Sequence, residues 1–269
     1  MSASSLLWGV PQTPRRPRPR EDSVVEPTVL AAGVDQLAAV CRPGAPGRSP
    51  GPVQVLDLGG GTGGQALRLV QAGHDVTVVD PSLDALAALG RRAAEAGVAD
   101  RLRGVQGDAE DLGDVLGEST VDLVLCHGVL EVVDDPQVAL GSIRRVLREP
   151  GRLSLLVAQR HAAVLSRVSS GQLHQAHHIA HDPDGRWGGG DLLRRRFDLD
   201  QVMDLLRSTG FGVVGVEGIR VFSDLLPRST GPAGGDPDRA LLADLEAWAG
   251  TQPGFVGVAA QLHVHAAPA

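Results

Sequence analysis

Short apolar runs alternate with amphipathic stretches through the first two thirds of the chain. The runs are Val53–Leu58, Val76–Val79, Leu102–Gln106, Val121–His127 and Leu153–Val157. Short, nearly continuous apolar runs are typical of strands that are buried on both faces of a parallel sheet. Their alternation with helical patterns therefore predicts an α/β fold.

The remaining elements follow from periodicity and from Gly and Pro breaks. Helices are expected at 29–40, 64–73, 135–148, 198–209 and 240–249, and later strands at 211–218 and 257–265. The stretch Val129 to Val133 continues from the fourth strand. Residues 1–27, rich in Pro and Arg, are predicted to form a disordered tail. Residues 28–269 are predicted to form one domain, with a cofactor-binding half at 53–157, an insertion at 159–196 and a C-terminal part at 198–265.

A glycine-rich turn follows the first strand. Gly59, Gly61 and Gly63 lack the Cβ atoms that would keep a ligand away from the backbone. The helix that begins at Gly64 would direct its N-terminal N–H groups at the ligand. Asp80 ends the second strand, where a carboxylate can accept hydrogen bonds from ribose hydroxyls. The pattern predicts a site for an adenosine-containing cofactor.

Two motifs fit the same turn. Gly59, Gly61 and Gly64 give the G-x-G-x-x-G pattern of dinucleotide binding, whereas Asp57 with Gly59, Gly61 and Gly63 gives D-x-G-x-G-x-G. The second pattern resembles motif I of class I methyltransferases. Later landmarks in the same order favour it: Asp108 after strand three, His127 at the end of strand four, and the turn Glu149-Pro150-Gly151 before strand five.

Several stretches resemble the bacterial tRNA 5-carboxymethoxyuridine methyltransferases. They include VLDLGGGTG, AGHDVTVVDPS, VDLVLCHGVLEVVDDP, GIRVFSD at 218–224 and the closing LHVH at 262–265. The resemblance implies a Rossmann-like, seven-stranded, mostly parallel sheet of order 3-2-1-4-5-7-6 with strand seven antiparallel and helices on its flanks. It also implies S-adenosyl-L-methionine as cofactor, an insertion that recognises the substrate, and cofactor contacts at Gly59, Gly60, Asp80, Asp108, Ala109 and His127.

Two features depart from that family. Its N-terminal helix carries an arginine that reaches the cofactor, and residues 26–30 here contain none. Its lysine-rich insertion has only Arg194-Arg195-Arg196 as a counterpart. These arginines could contact phosphates, or they could pair within the protein.

Arg220 is the candidate for placing an acceptor carboxylate, because its planar guanidinium matches that group. The alternative is a surface ion pair with Asp224 or Glu217. His127 would contact the cofactor, or act as a general base if the acceptor were a hydroxyl. Asp57 is expected to order the glycine turn by accepting backbone N–H bonds.

Four histidines on one predicted helix face, at 174, 177, 178 and 181, have spacings that could bind zinc. No Cys or nearby carboxylate triad accompanies them, so a polar or solvated face is the preferred interpretation and no metal is expected. Cys41 and Cys126 lack metal or disulfide spacing.

The chemical composition narrows the classes of partner. The net charge of −7 argues against an overall basic nucleic-acid binder, although a local basic patch would remain compatible with RNA. No apolar run approaches the length of a membrane span, and the N-terminus lacks a signal pattern, so a cytoplasmic location without membrane partners is expected.

The sequence therefore predicts an S-adenosylmethionine-dependent methyltransferase. Its acceptor would be a carboxylate, as in wobble 5-carboxymethoxyuridine of tRNA. The alternatives are a small-molecule O- or carboxyl-methyltransferase of secondary metabolism, a non-catalytic cofactor-binding protein, and an NAD-dependent oxidoreductase.

Overall fold

A single seven-stranded sheet organises the chain in the computed structural model, which describes residues 26–41, 51–226 and 237–269. The Pro/Arg-rich tail up to residue 25 and most of the predicted loop 42–52 lie outside the described residues. The strands are β1 (Gln54–Leu58), β2 (Asp75–Asp80), β3 (Leu102–Gln106), β4 (Val121–His127), β5 (Leu147–Ala158), β6 (Phe211–Ile219) and β7 (Gln261–Pro268).

The strand order is β3-β2-β1-β4-β5-β7-β6, with β7 antiparallel to both of its neighbours and the other pairs parallel. This order confirms the predicted fold. The chain reverses its direction of progress across the sheet between β1 and β4. Open α/β sheets bind their ligands beyond the carboxyl ends of the strands at such a point.

Helices cover both faces of the sheet. They are α1 (Glu26–Val40), α2 (Gly64–Gln71), α3 (Leu83–Glu95), α4 (Leu112–Leu116), α5 (Pro136–Val146), α6 (Arg160–Ser169), α7 (Leu173–His181), α8 (Leu199–Ser208), α9 (Pro237–Gly250) and α10 (Pro253–Val256). One core layer joins the apolar residues of α1, α2 and α3 to one face, and a second joins those of α5 and α8 to the other. With no Tyr and few Phe in the sequence, Leu, Val and Ala fill both layers.

Several boundaries differ from the sequence predictions. α1 begins at Glu26, before the predicted start of the domain. β4 ends at His127 and does not continue through Val129–Val133, because Gly128 adopts a left-handed φ of 66° and turns follow it. The last strand begins at Gln261 rather than Gly257, because the short helix α10 and a turn occupy the preceding residues.

The three arginines at 194–196 are used within the protein. Arg194 forms an ion pair with Asp134, and Arg195 donates to the carbonyl oxygens of Leu130, Val133 and Asp134. Arg196 makes two bonds to Asp191, at 2.6 and 3.1 Å. Burial alone would raise the pKa of Asp191, but the hydrogen bonds and charge of Arg196 hold that pKa below its usual value. The intramolecular alternative for this run is therefore the one that the structure favours.

Within residues 26–41, 51–226 and 237–269, no helix is both long enough and apolar enough to cross a bilayer.

Candidate cofactor and acceptor site

The predicted cofactor residues meet at the carboxyl edge of β1, β2 and β4. The glycine turn leaves β1, Asp80 ends β2, and His127 ends β4, beside the point where the strand order reverses. Asp108 and Ala109 follow β3 on the same edge; Asp108 is exposed and Ala109 is buried. The parallel register of β1 with β2 and β4 brings together side chains that are far apart in sequence.

The glycine turn has a backbone that a side chain would strain. Gly61 lies at a φ of +57°, which is the left-handed region. Only glycine adopts that region without a steric cost. A Cβ atom at Gly61 would point into open space, with the Asp80 carboxylate 4.0 Å away as the nearest atom. The turn therefore exposes bare backbone beside Asp80.

Asp57 packs directly beneath the same turn. A Cβ atom on Gly60 would lie 2.4 Å from its carboxylate oxygen, so only glycine fits there. The Asp57 side chain is 5% exposed. This placement is consistent with its predicted role in ordering the turn rather than in chemistry.

Asp80 connects the turn to the start of α3. One carboxylate oxygen accepts the Gly61 N–H at 3.0 Å, and the other accepts the Ser82 N–H at 2.9 Å. An ionised carboxylate offers about four lone-pair positions. Ordering the turn and accepting ribose hydroxyls are therefore compatible tasks for this residue.

His127 begins a chain of polar side chains on the face of the sheet that α1 covers. Its Nε2 lies 2.8 Å from Ser154 Oγ, which lies 2.7 Å from His263 Nε2. Beyond it, His263 Nδ1 is 3.1 Å from His265 Nε2 and 3.6 Å from a Glu217 carboxylate oxygen. The chain links the cofactor edge to the interior of the β5-β7-β6 part of the sheet.

The surroundings of His127 bear on its two predicted roles. Burial, and then the neighbouring His263 and His265, lower the pKa of His127 from 6.5 to about 3. A general base works best when its pKa lies near the operating pH. A neutral, weakly basic imidazole that is already bonded to Ser154 suits a cofactor contact better than proton abstraction.

Sequence reasoning gave no role to Ser154, His263 or His265, and it considered Glu217 only as an ion-pair partner of Arg220. A signal was present, because His263 and His265 alternate with apolar residues in the last strand, and a period of two puts both on one face. The surroundings of these residues shift the pKa values of two of them. Burial, and then His263, lower the pKa of His265 to about 4, and the hydrogen bond from His263 holds the pKa of Glu217 below its usual value.

Arg220 directly follows β6, at the same edge of the sheet as the cofactor residues. It is a non-glycine residue at a φ of +60°, and its carbonyl oxygen accepts the Ala260 N–H at 3.2 Å. Its guanidinium forms an ion pair with Asp224, and its side chain is 16% exposed. The predicted surface pair with Asp224 is thus present, and an acceptor carboxylate would have to share or displace it.

Glu246 of α9 fixes the loop that follows Arg220. Its carboxylate accepts the backbone N–H groups of Val221, Phe222 and Ser223 at 2.7, 3.1 and 2.7 Å. It also accepts the Ser223 hydroxyl at 2.5 Å, and it is 2% exposed. Sequence reasoning missed this residue, because nothing local to α9 indicates which loop it will cap.

The four histidines predicted on one helix are on α7, which ends at His181. His177 and His181 stack at 4.2 Å, and His181 Nδ1 lies 2.8 Å from the carbonyl oxygen of His177. In the part of the chain that the structure describes, these four do not converge as metal ligands. The group that does converge is Glu217, His263 and His265.

Comparisons with known proteins bear on the class of domain and on the fold. Residues 56–155 match the family model described as "Methyltransferase domain". The tRNA 5-carboxymethoxyuridine methyltransferase of Escherichia coli is 33% identical over 177 residues, which are 66% of this chain and 66% of that protein. The match thus spans slightly less than two thirds of the length of these curated relatives.

Solved structures share the fold. An S-adenosylmethionine dependent methyltransferase from Mesorhizobium loti has a TM-score of 0.58 and 17% identity, over 91% of this chain and 99% of that one. The 1,6-didemethyltoxoflavin-N1-methyltransferase of Burkholderia thailandensis, solved with its substrate and S-adenosylhomocysteine, has a TM-score of 0.54 and 19% identity. The structural match covers 92% of this chain and 79% of the Burkholderia chain.

The sheet order and the glycine turn define a class I methyltransferase fold with S-adenosylmethionine as cofactor. Residues 56–155 carry the methyltransferase domain of the matching family model. Among curated proteins, the chain resembles the tRNA 5-carboxymethoxyuridine methyltransferases. The cofactor fits the residues present, because the bare backbone at Gly61 faces open space beside the buried Asp80, the predicted acceptor of the ribose hydroxyls.

Replacing Asp80 by Ala is expected to weaken binding of S-adenosylhomocysteine about 10- to 100-fold. The ribose hydroxyls lose a charged acceptor, and such hydrogen bonds contribute about 1.5 to 3 kcal/mol. Isothermal titration calorimetry measures the change. Asp84→Ala, which removes an exposed acid from the first turn of α3, is the matched control and should bind normally. Unchanged affinity in a folded Asp80→Ala protein would exclude Asp80 as the ribose acid.

Proposed function

We propose that this methyltransferase esterifies a carboxylate, and that the acceptor resembles the 5-carboxymethoxyuridine of tRNA. The proposal rests on the position and conformation of Arg220. Its backbone is left-handed, and the residue directly follows β6 at the carboxyl edge of the sheet. Non-glycine residues in such conformations cluster at functional sites, where the surrounding structure maintains the strain. The 33% identity to the E. coli tRNA enzyme supports the same acceptor class.

Contacts with three residues hold Arg220 in place. Glu246 binds the three backbone N–H groups that follow it, and the Ala260 N–H binds its carbonyl oxygen. Asp224 orients the guanidinium. A cation that is positioned in advance loses little entropy when it binds an anion, and the planar fork of arginine suits a carboxylate.

Polar groups beside Arg220 could receive other parts of an acceptor. Gln159 directly follows β5 and Gln261 begins β7, and the carbonyl oxygen of each side-chain amide is buried. Among the described residues, neither oxygen has a hydrogen-bond donor. A buried acceptor without a donor is costly. An N–H or O–H group of a bound acceptor would satisfy these oxygens once the side-chain amides turn toward it.

The reaction needs alignment rather than proton transfer. Bound S-adenosylmethionine supplies a methyl group on a positively charged sulfur. An oxygen of the acceptor carboxylate forms the new C–O bond as the C–S bond breaks, giving a methyl ester and S-adenosylhomocysteine. A carboxylate is ionised at neutral pH, so the weakly basic His127 need not act as a base. The residues contribute by holding the reacting atoms in line, an effect that can supply several kcal/mol.

Replacing Arg220 by Lys is expected to raise the KM for the acceptor, or lower kcat, by roughly 10-fold or more. Lysine keeps the charge but loses the fork that binds both carboxylate oxygens. The affinity for S-adenosylhomocysteine should stay constant, because Arg220 is outside the predicted cofactor contacts. Steady-state kinetics and calorimetry on the same preparations measure both quantities.

Asp224→Asn separates this role from a structural one. The Asn amide oxygen can still accept a hydrogen bond from the guanidinium and orient it, while the competing negative charge is removed, so acceptor binding should persist or improve. If Arg220 served only the ion pair, the two variants would lose stability alike and acceptor kinetics would be unchanged. That result would demote Arg220 to a structural residue, and the carboxylate proposal with it.

A small-molecule carboxyl or hydroxyl acceptor is the second candidate. The observation in its favour is that all three arginines at 194–196 are engaged within the protein. Nucleoside analysis of tRNA from a strain that lacks the gene distinguishes the two acceptors. Loss of the methyl ester at the wobble uridine supports tRNA, whereas unchanged tRNA supports a small molecule. Binding of S-adenosylhomocysteine without turnover on any acceptor would indicate a non-catalytic protein.

A further inference from the structure

Three metal-binding side chains converge on the sheet face that α1 covers. Glu217 of β6 pairs in register with His263 of β7, and His265 is two residues further along the same strand. Residues opposite each other, and residues two apart, share a face of a sheet. His263 is 0% exposed and His265 is 8% exposed.

The ligand atoms have the spacing of a tetrahedral site. His263 Nδ1 lies 3.1 Å from His265 Nε2 and 3.6 Å from Glu217 Oε2, and one such atom from each residue lies within 4.8 Å of the others. Ligands bound about 2.0 to 2.1 Å from a tetrahedral zinc ion lie about 3.4 Å apart. An ion could therefore be bound with small side-chain movements. Two imidazoles and a carboxylate are a known zinc donor set, which leaves one position open.

Neighbouring residues complete the site. Ser154 Oγ lies 2.7 Å from His263 Nε2, the ring nitrogen that faces away from the cluster. Such outer partners fix the tautomer and orientation of metal-bound histidines. Gly33 of α1 closes over the cluster, and a Cβ atom there would lie 2.8 Å from the His263 ring and 3.3 Å from Glu217 Oε2. The helix can approach this closely because it presents only backbone at that position.

We propose that Glu217, His263 and His265 bind a divalent transition metal ion of the zinc type. This site is separate from the site of the proposed methyl transfer, and the ion takes no part in that reaction. The ion would fix the position of His263. Because Ser154 bonds to both His263 and His127, it would also fix His127 at the cofactor edge. Three ligands from two adjacent strands would also fasten β6 to β7.

Cobalt and zinc titrations of the chelator-treated full chain test the proposal. One equivalent of Co²⁺ should give the strong visible absorption of tetrahedral coordination, and one equivalent of Zn²⁺ should remove it. Ser154→Ala should weaken binding about 10-fold or more, as loss of an outer partner does. His265→Gln should weaken it by more than that, because a ligand is lost.

The histidines of α7 supply the matched control, since exposed histidines also bind metals weakly. A His177→Gln/His181→Gln double variant should keep the absorption and the affinity. Glu217→Gln, at a partly exposed position, provides a second ligand variant if His265→Gln fails to fold. No tetrahedral absorption in the parent, or an absorption that survives the ligand variants and disappears in the α7 variant, would overturn the proposal. The cluster would then be a hydrogen-bonded network only.

Discussion

Gly61→Val is expected to abolish cofactor binding while the protein stays folded. The new side chain would project from the turn toward Asp80, into the space where the ligand must lie against bare backbone. Apart from the two adjoining residues, no other atom of the described residues lies within 4 Å of the added Cβ position, so the fold itself can accommodate that atom. The Kd for S-adenosylhomocysteine should rise by more than about 100-fold, which corresponds to roughly 2.7 kcal/mol or more. Calorimetry gives the Kd, and circular dichroism checks the fold.

The left-handed φ of Gly61 would add strain of about 1 to 2 kcal/mol in any variant with a side chain. Gly73→Val controls for that strain, because Gly73 has a φ of +100°, has nothing within 4 Å of its added Cβ and lies at the opposite end of α2. Gly73→Val should lose similar stability and bind normally. Equal binding by the two variants would show that the ligand does not lie against the turn.

The cofactor half was predictable because its signals are local. The glycine turn, the end of β2 at Asp80 and the end of β4 at His127 each follow from a few adjacent residues, and parallel pairing then brings them together. The family resemblance supplied the strand order, including the antiparallel β7, which periodicity alone does not determine.

The parts that sequence reasoning missed depend on contacts between distant segments. Glu217 and His263 become neighbours only through the register of β6 with β7. Ser154 joins them only because β5 lies on the other side of β7. The errors in strand boundaries have a different origin. The left-handed turn at Gly128 and the short helix α10 interrupt stretches that look continuous as apolar runs in the sequence.

Glu246, which sequence reasoning did not identify, is expected to contribute strongly to stability. Glu246→Ala is expected to destabilise the protein by about 3 kcal/mol or more. It leaves three backbone N–H groups and a hydroxyl without their buried acceptor, and hydrogen bonds to charged groups contribute about 1.5 to 3 kcal/mol each. At roughly 2 to 4 °C per kcal/mol for a domain of this size, Tm should fall by about 6 to 12 °C. Thermal unfolding followed by circular dichroism measures it.

The same variant tests whether the loop after β6 is part of the acceptor site. Releasing that loop should also free Arg220 from its left-handed conformation, so the acceptor KM should rise while the Kd for S-adenosylhomocysteine stays near the parent value. Asp244→Ala removes an exposed acid from the same helix and should change neither Tm nor KM. A parent-like Tm in Glu246→Ala would mean that water replaces the carboxylate at little cost. A lower Tm with an unchanged acceptor KM would place the acceptor away from Arg220, because the loop would then contribute to stability alone.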